Sequence, residues 1–337
     1  MNHKTRGVVK LEHQIHDSET KLFSAVDATV DEDYLDLAQT RLRVRLLSQG
    51  SGPPVLLLHG SSLSAAAWAP LFPKLRHLRL LAVDLPGHGL SDPTVFRQGH
   101  VRDYARRIID DVIDALDLDQ VPVIGHSLGG MFALWHAATG SDRISGLIAI
   151  GEPAVALPRV RVRMPLSLLT VRGVGVAALR SPTPPRVYRR LLAQGNGRAD
   201  IAAAPDTLIE ALRLSVRRPG NARTVGSLMH AIAQFRRGRP ESVLSNAELG
   251  AITAPTTFIL GSHDPYLSVD HARPSIEQIP RATLHEMPGG HAPWLIDPEH
   301  AASLIATHPG LDTIANGQGV AGADRQRLSP RAPPNAA

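Results

Sequence analysis

Val121-Pro122-Val123-Ile124-Gly125-His126-Ser127-Leu128-Gly129-Gly130 joins a short apolar run to a serine flanked by glycines, and residues 128–138 continue with helical spacing. A strand turning at once into a helix holds Ser127 on a tight, strained corner, with its hydroxyl above the sheet. Glycines two before and two after are needed because a Cβ there would strike the neighbouring strand and helix. The helix start also offers free N–H groups and the positive end of its dipole to developing negative charge. The letters G-x-S-x-G alone are weak, since an ordinary glycine-rich turn carries them too. Their place between a buried strand and an Ala-rich helix is what reads as a nucleophile elbow.

Working outward, residues 34–38 and 41–47 read as two antiparallel strands. Runs at 55–58, 80–83, 121–124 and 147–150 are continuously apolar, as in strands buried on both faces. A helical pattern at 103–116 lies among them. Strands alternating with helices predict βαβ units and a mainly parallel sheet. From 152 to 245 that rhythm gives way to helices broken by Pro and Gly. It resumes with strands at 256–260 and 282–286 and a helix at 269–278, and Asp297-Pro298-Glu299 is a well-formed helix start. The expected organisation is a core of residues 31–151 and 246–309 with a helical insertion at 152–245. Residues 1–30, polar and aperiodic, are expected to form a poorly ordered leader, and 310–337, rich in Gly, Ala, Pro and Arg, a disordered tail.

A serine hydroxyl needs a base, and the chain has 16 histidines, so position must choose. His291 lies in Pro288-Gly289-Gly290-His291-Ala292-Pro293, after the last strand, where double glycine lets the loop fold back over the sheet edge that carries Ser127. The bland reading is a surface-loop histidine. The carboxylate to orient it is Asp264, directly after the strand at 256–260, although an Asp before Pro265 also suits a simple Asx turn. Glu152, at the end of the neighbouring strand, is the rival acid. The oxyanion hole is assigned to the backbone N–H groups of Leu128, after the nucleophile, and Ser61, in His59-Gly60-Ser61-Ser62. His59 and His88 read as structural loop residues.

Composition sets limits. The 337 residues are 43% hydrophobic, only 4% aromatic, and contain no cysteine, which removes disulfides, thiolate metal sites and a cysteine nucleophile. No secretory h-region opens the chain, and the most apolar run, 164–179, is too short and punctuated to span a bilayer. A soluble cytoplasmic protein is the expectation. The charge of +5 rests on 32 Arg against 4 Lys, and no nucleic-acid motif accompanies it. Residues 152–245 carry 16 Arg, no Lys and five acids, a local +11. This basicity is either a solvated face or guidance for an anionic substrate.

Together LLLHGSS (56–62), AVDLPGHGLSD (82–92), VIGHSLGG (123–130), FILGSHDPYLS (258–268) and MPGGHAPWLIDPE (287–299) resemble the α/β-hydrolase superfamily, in its single-cap, serine-nucleophile branch of esterase-like and epoxide-hydrolase-like sequence. The resemblance implies an eight-stranded, mostly parallel sheet with a helical cap between strands six and seven. It implies a triad of Ser127, Asp264 and His291, in the family's chain order. The chain departs from dehalogenase and epoxide hydrolase relatives in carrying Ser127 where they carry Asp. HGSSLSAAAW also lacks the Pro of HGxP loops and the glycine-rich continuation of meta-cleavage hydrolases. The expected activity is hydrolysis of a carboxylic ester, lactone or thioester through acyl-Ser127, with no metal or organic cofactor and a small acyl substrate as partner. The same triad also serves carbon–carbon hydrolysis, lyase, acyl-transfer or cyclising chemistry, and a ligand-binding receptor with little turnover is the alternative of another class.

Overall fold

The continuous apolar runs lie side by side in the middle of one eight-stranded sheet, where strands buried on both faces must sit. The computed structural model describes residues 3–311 apart from Arg163, Pro165 and Pro182. The strands are β1 (Asp31–Asp36), β2 (Arg43–Gln49), β3 (Pro54–Leu58), β4 (Arg79–Val83), β5 (Val121–His126), β6 (Ile144–Ile150), β9 (Thr256–Gly261) and β10 (Ala282–Met287), while β7 (Ala233–Gln234) and β8 (Arg237–Gly238) form a separate small hairpin. The order across the sheet is β1-β2-β4-β3-β5-β6-β9-β10. Strand β2 is antiparallel to both β1 and β4, and every other pairing in the sheet is parallel. The register between β5 and β6 slips at Val121/Pro122, where proline removes a ladder N–H.

Alternation along the strands divides the interior. Leu56 and Leu58 enter the core under α2 (Val101–Ala115) and α3 (Leu128–Ala137), whereas Val55 and Leu57 enter the opposite core with Trp68, Phe72 and Trp294. In α2, Val101, Ala105, Ile108, Ile109 and Val112 make the buried stripe, at helical spacing. Helix α10 (Val269–Ile276) follows β9, and α11 (Pro298–Ala306) begins as its sequence predicts, with the Asp297 side chain accepting the His300 N–H at 2.9 Å.

Between β6 and β9 lie α4 (Val174–Arg180), α5 (Pro185–Asn196), α6 (Arg198–Ala203), α7 (Asp206–Val216), α8 (Asn221–Ile232), the β7–β8 hairpin and α9 (Asn246–Gly250). The hairpin was not foreseen, because two-residue strands carry no periodicity to read.

The expected poorly ordered leader is instead a helix, α1 (His3–Ala25). Its inward stripe is Ile15, Ser18, Glu19 and Leu22, all buried, and two of the four are polar, which hides the apolar period. Glu19 is buried because it meets Arg45 of β2, itself 1% exposed and also bonded to Asp84 at 3.3 Å. Burial pushes the Glu19 carboxyl above its ordinary range despite Arg45. The same helix holds α7 and the turn after it, with Ser18 Oγ donating to Thr207 C=O at 3.1 Å and Glu12 paired with Arg218 at 2.9 Å. The expected tail falls outside the described residues except for Gly310 and Leu311, both of which are buried.

Removing one partner of a buried ion pair leaves the other charge uncompensated, at about 3–5 kcal/mol. Glu19→Ala is therefore expected to lower the unfolding free energy by about 3 kcal/mol, read from urea midpoints at constant slope. A loss under about 1 kcal/mol would mean that Asp84 and Glu32, whose carboxylate lies 3.5 Å from Arg45 Nε, suffice for Arg45.

Candidate active site

Ser127 sits between β5 and α3 with φ 48° and ψ −107°, a backbone region that side-chain-bearing residues avoid. The crowding that enforces it is measurable. A Cβ on Gly125 would lie 2.6 Å from the Gly130 nitrogen, and one on Gly129 would lie 2.1 Å from the Leu58 carbonyl oxygen. Helix α3 thus begins hard against β3 and β5, and the Ser127 N–H donates to Ile150 C=O at 3.3 Å.

The structure brings His291 and Asp264 together. His291 Nδ1 donates to Asp264 Oδ2 at 2.7 Å, which fixes the tautomer and leaves Nε2 as the basic nitrogen. Asp264 also accepts the N–H groups of Glu152 and Tyr266, each at 3.0 Å. Burial alone would raise the Asp264 pKa, but the His291 charge, its hydrogen bond and these backbone donors bring it below the ordinary range.

Glu152, the rival acid, reaches this site only through its backbone. It is fully buried, and neither carboxyl oxygen has a hydrogen-bond partner among the described residues. Burial first, and the Asp264 charge second, push its pKa well above the usual carboxylate range. Its carboxyl, without a hydrogen-bond partner among the described residues and biased by burial toward the neutral form, makes no hydrogen bond to the imidazole.

Sequence reasoning missed the groups that hold the His291 loop. Asp200 of α6, fully buried, accepts the Gly290 N–H on Oδ1 and the Ala292 N–H on Oδ2, both at 2.8 Å. The Asn196 carbonyl accepts the His291 N–H at 2.7 Å. Three successive N–H groups of the loop are thereby held from the insertion. In the sequence Asp200 is one acid in a basic segment, with no local signature. His126 was likewise read only as the x of the elbow. Its Nε2–H donates to His291 C=O at 3.0 Å, and burial, then the His291 charge, keeps it neutral, with its pKa well below the ordinary value.

His59 and His88 are buried and spend their bonds on loop backbone. His59 Nε2 accepts the Leu85 N–H at 2.9 Å, and His88 Nδ1 donates to Pro86 C=O at 3.1 Å. A Cβ on Gly60 would strike His126 Nδ1 at 2.4 Å and stand 3.3 Å from Ser127 Cβ, so the loop after β3 lies directly over the elbow. Ser61, Ser127, Leu128 and His291 line one cavity of ≈310 Å³. Its remaining wall is mostly aliphatic, from residues such as Val155, Val160, Leu166 and Ile232, with Tyr188, Arg213 and Arg217 among the polar exceptions. Among the described residues, no group of three or more His, Cys, Asp or Glu is placed to hold a metal ion, and no helix is long and apolar enough to cross a membrane.

The sequence profile of the α/β hydrolase fold matches residues 53–298. The chain is 29% identical over 279 residues to a 2-hydroxy-6-oxononadienedioate/2-hydroxy-6-oxononatrienedioate hydrolase of Cupriavidus pinatubonensis, covering 79% of this chain and 89% of that one. It is 27% identical over 279 residues to the pimeloyl-[acyl-carrier protein] methyl ester esterase of Chromobacterium violaceum, covering 79% and 97%. Among solved structures, carboxylesterase CesB of Bacillus subtilis superposes with a TM-score of 0.70 at 19% identity, covering 89% of this chain and 98% of that one, and shares the fold.

Two substitutions separate the acids. Asp264→Asn is expected to lower kcat/KM by at least about a thousandfold, while Glu152→Gln keeps activity within about threefold. Glu152→Gln should also raise the Tm above the ordinary glutamate pKa. There the unfolded state loses the Glu152 proton and the folded state keeps it, so native stability falls as pH rises, and Gln removes that loss. Below that range the Tm difference should vanish. Swapped severities, or a Glu152→Gln variant destabilised at neutral pH, would reverse the assignment.

Proposed function

The chain belongs to the α/β hydrolase fold family, and from that premise we propose that it hydrolyses a carboxylic ester, lactone or thioester through an acyl-Ser127 intermediate. The observation that carries the reading is the shared cavity. Ser127, on its strained elbow, and His291, with Nδ1 held by Asp264, open onto the same mainly aliphatic space. In this reading Nε2 of His291 takes the proton as Ser127 Oγ attacks the acyl carbon, then returns it to the departing alcohol or thiol. Water enters next, gives its proton to Nε2, and releases the acid with Ser127 restored. The developing oxyanion is held by the N–H groups of Ser61 and Leu128. Catalysis by these residues needs no cofactor.

The cavity also divides the basic insertion. Of its arginines, Arg213 of α7 and Arg217, which caps the C-terminus of α7, line the cavity. Arg213 is tied to Glu210 at 2.6 Å, and Arg217 has no ion pair among the described residues. Tyr188 Oη is buried without a hydrogen-bond partner, and burial raises its pKa, so it remains an O–H donor. These groups support a substrate with a carboxylate or similar anion distal to the scissile bond. They also favour a second reading, cleavage of a dienedioate such as the one that names the Cupriavidus relative, on the same Ser127.

An active-site fluorophosphonate should label wild type and leave Ser127→Ala unlabelled, with kcat/KM on a responsive ester reduced at least about a thousandfold in a folded variant. A Ser127→Ala enzyme keeping half its activity would sink the mechanism. Turnover of dienedioates, and of no ester tried, would move the assignment to the second reading. Arg217→Gln should raise KM about tenfold for an anionic ester and leave its neutral isostere unchanged. Equal effects on both esters would remove the anion from the substrate.

A further inference from the structure

The arginines that do not line the cavity have a pattern of their own. Residues 153–199 hold nine Arg and no Lys, Asp or Glu. Arg172, Arg180, Arg186 and Arg190 are exposed and have no ion pair among the described residues, whereas Arg189 is paired with Asp206 at 2.6 Å. A face that only needed solvation would be polar throughout, and this one is not. Six of the nine large hydrophobic side chains exposed among the described residues lie between 164 and 191: Met164, Leu168, Val171, Val174, Val187 and Leu191.

The two characters are interleaved. On α5, Val187, Arg190 and Leu191 share the outer face at helical spacing, while Leu192 turns inward and is buried. Leu168 and Leu191 belong to both settings, being exposed and lining the cavity together with Leu166 and Leu179. Through Leu168 and Leu191 the exposed apolar side chains of this segment reach the cavity wall.

We propose that residues 164–191 dock this protein on the surface of an anionic lipid bilayer, with the cavity opening toward it. An acidic protein or a nucleic acid would answer the arginines but leave Met164, Val171, Val174 and Val187 in water. A bilayer answers both, taking apolar side chains into the headgroup–acyl boundary while guanidinium groups meet lipid phosphates. The attachment is peripheral, since no described helix is long and apolar enough to cross. Binding of this kind does not depend on the reaction at Ser127.

The test is flotation of the full-length protein with vesicles of phosphatidylcholine, with and without phosphatidylglycerol. Binding should be at least about tenfold tighter to the anionic vesicles and weaken with salt. At about fivefold per arginine, the Arg172→Gln/Arg180→Gln/Arg186→Gln variant should lose roughly a hundredfold. A Val171→Ser/Val174→Ser/Val187→Ser variant should lose binding at high salt first, because only the apolar contribution survives screening. Both variants should turn over a short soluble ester as wild type does, which shows that they are folded. Equal binding to neutral and anionic vesicles would overturn the proposal, as would unchanged flotation of the arginine variant. Binding to soluble polyglutamate with none to vesicles would overturn it in favour of a protein-docking face.

Discussion

The corner at Ser127 has room for no side chain at Gly125 or Gly129, because α3 starts within contact distance of both β3 and β5. That steric limit sets the site's location. Strand β5 lies between β3 and β6, where the chain order across the sheet reverses, so the loops leaving β3 and β5 diverge and open a crevice. Ser61 is in one of those loops and Ser127 in the other. The parallel strands β6, β9 and β10 deliver Glu152, Asp264 and His291 to the same edge.

Three buried carboxyl groups close to this edge illustrate how local hydrogen bonding decides a charge. Asp264 has the His291 imidazole and two backbone N–H donors, and its pKa falls despite burial. Asp200 has two N–H donors, and burial still prevails, raising its pKa. Glu152 has no partner among the described residues, and its pKa rises furthest out of the usual range. Residue type is nearly the same in all three cases. Only the first hydrogen-bonds the imidazole directly.

The site is assembled across distant parts of the chain. The insertion holds the His291 loop through Asp200 and Asn196, and α7 with its C-cap contributes Arg213 and Arg217 to the cavity. Helix α1, which lies before the family match at 53–298, is anchored to the sheet through Glu19 and Arg45, to α7 through Ser18, and to the turn after α7 through Glu12. A helix remote from the chemistry therefore fixes one wall of the pocket. This is why the N-terminal segment is a packed part of the fold.

The sequence alone determined the features written in local periodicity and turn chemistry. Two-sided apolar runs marked the central strands, Gly125 and Gly129 marked the elbow, and the order Ser127, Asp264, His291 named the candidate triad. Tertiary structure decided the rest. Helix α1 was hidden because half of its buried stripe is polar, and Glu19 is tolerable inside only against Arg45, 26 residues away. Asp200 meets the His291 loop across 90 and 92 residues of chain, and nothing near Asp200 records that meeting. Chain order preferred Asp264 and kept Glu152 as its rival, since each acid ends a strand. Packing sets the Asp264 carboxylate on the imidazole and leaves the Glu152 carboxyl buried without a hydrogen-bond partner among the described residues, which no local sequence signal could record.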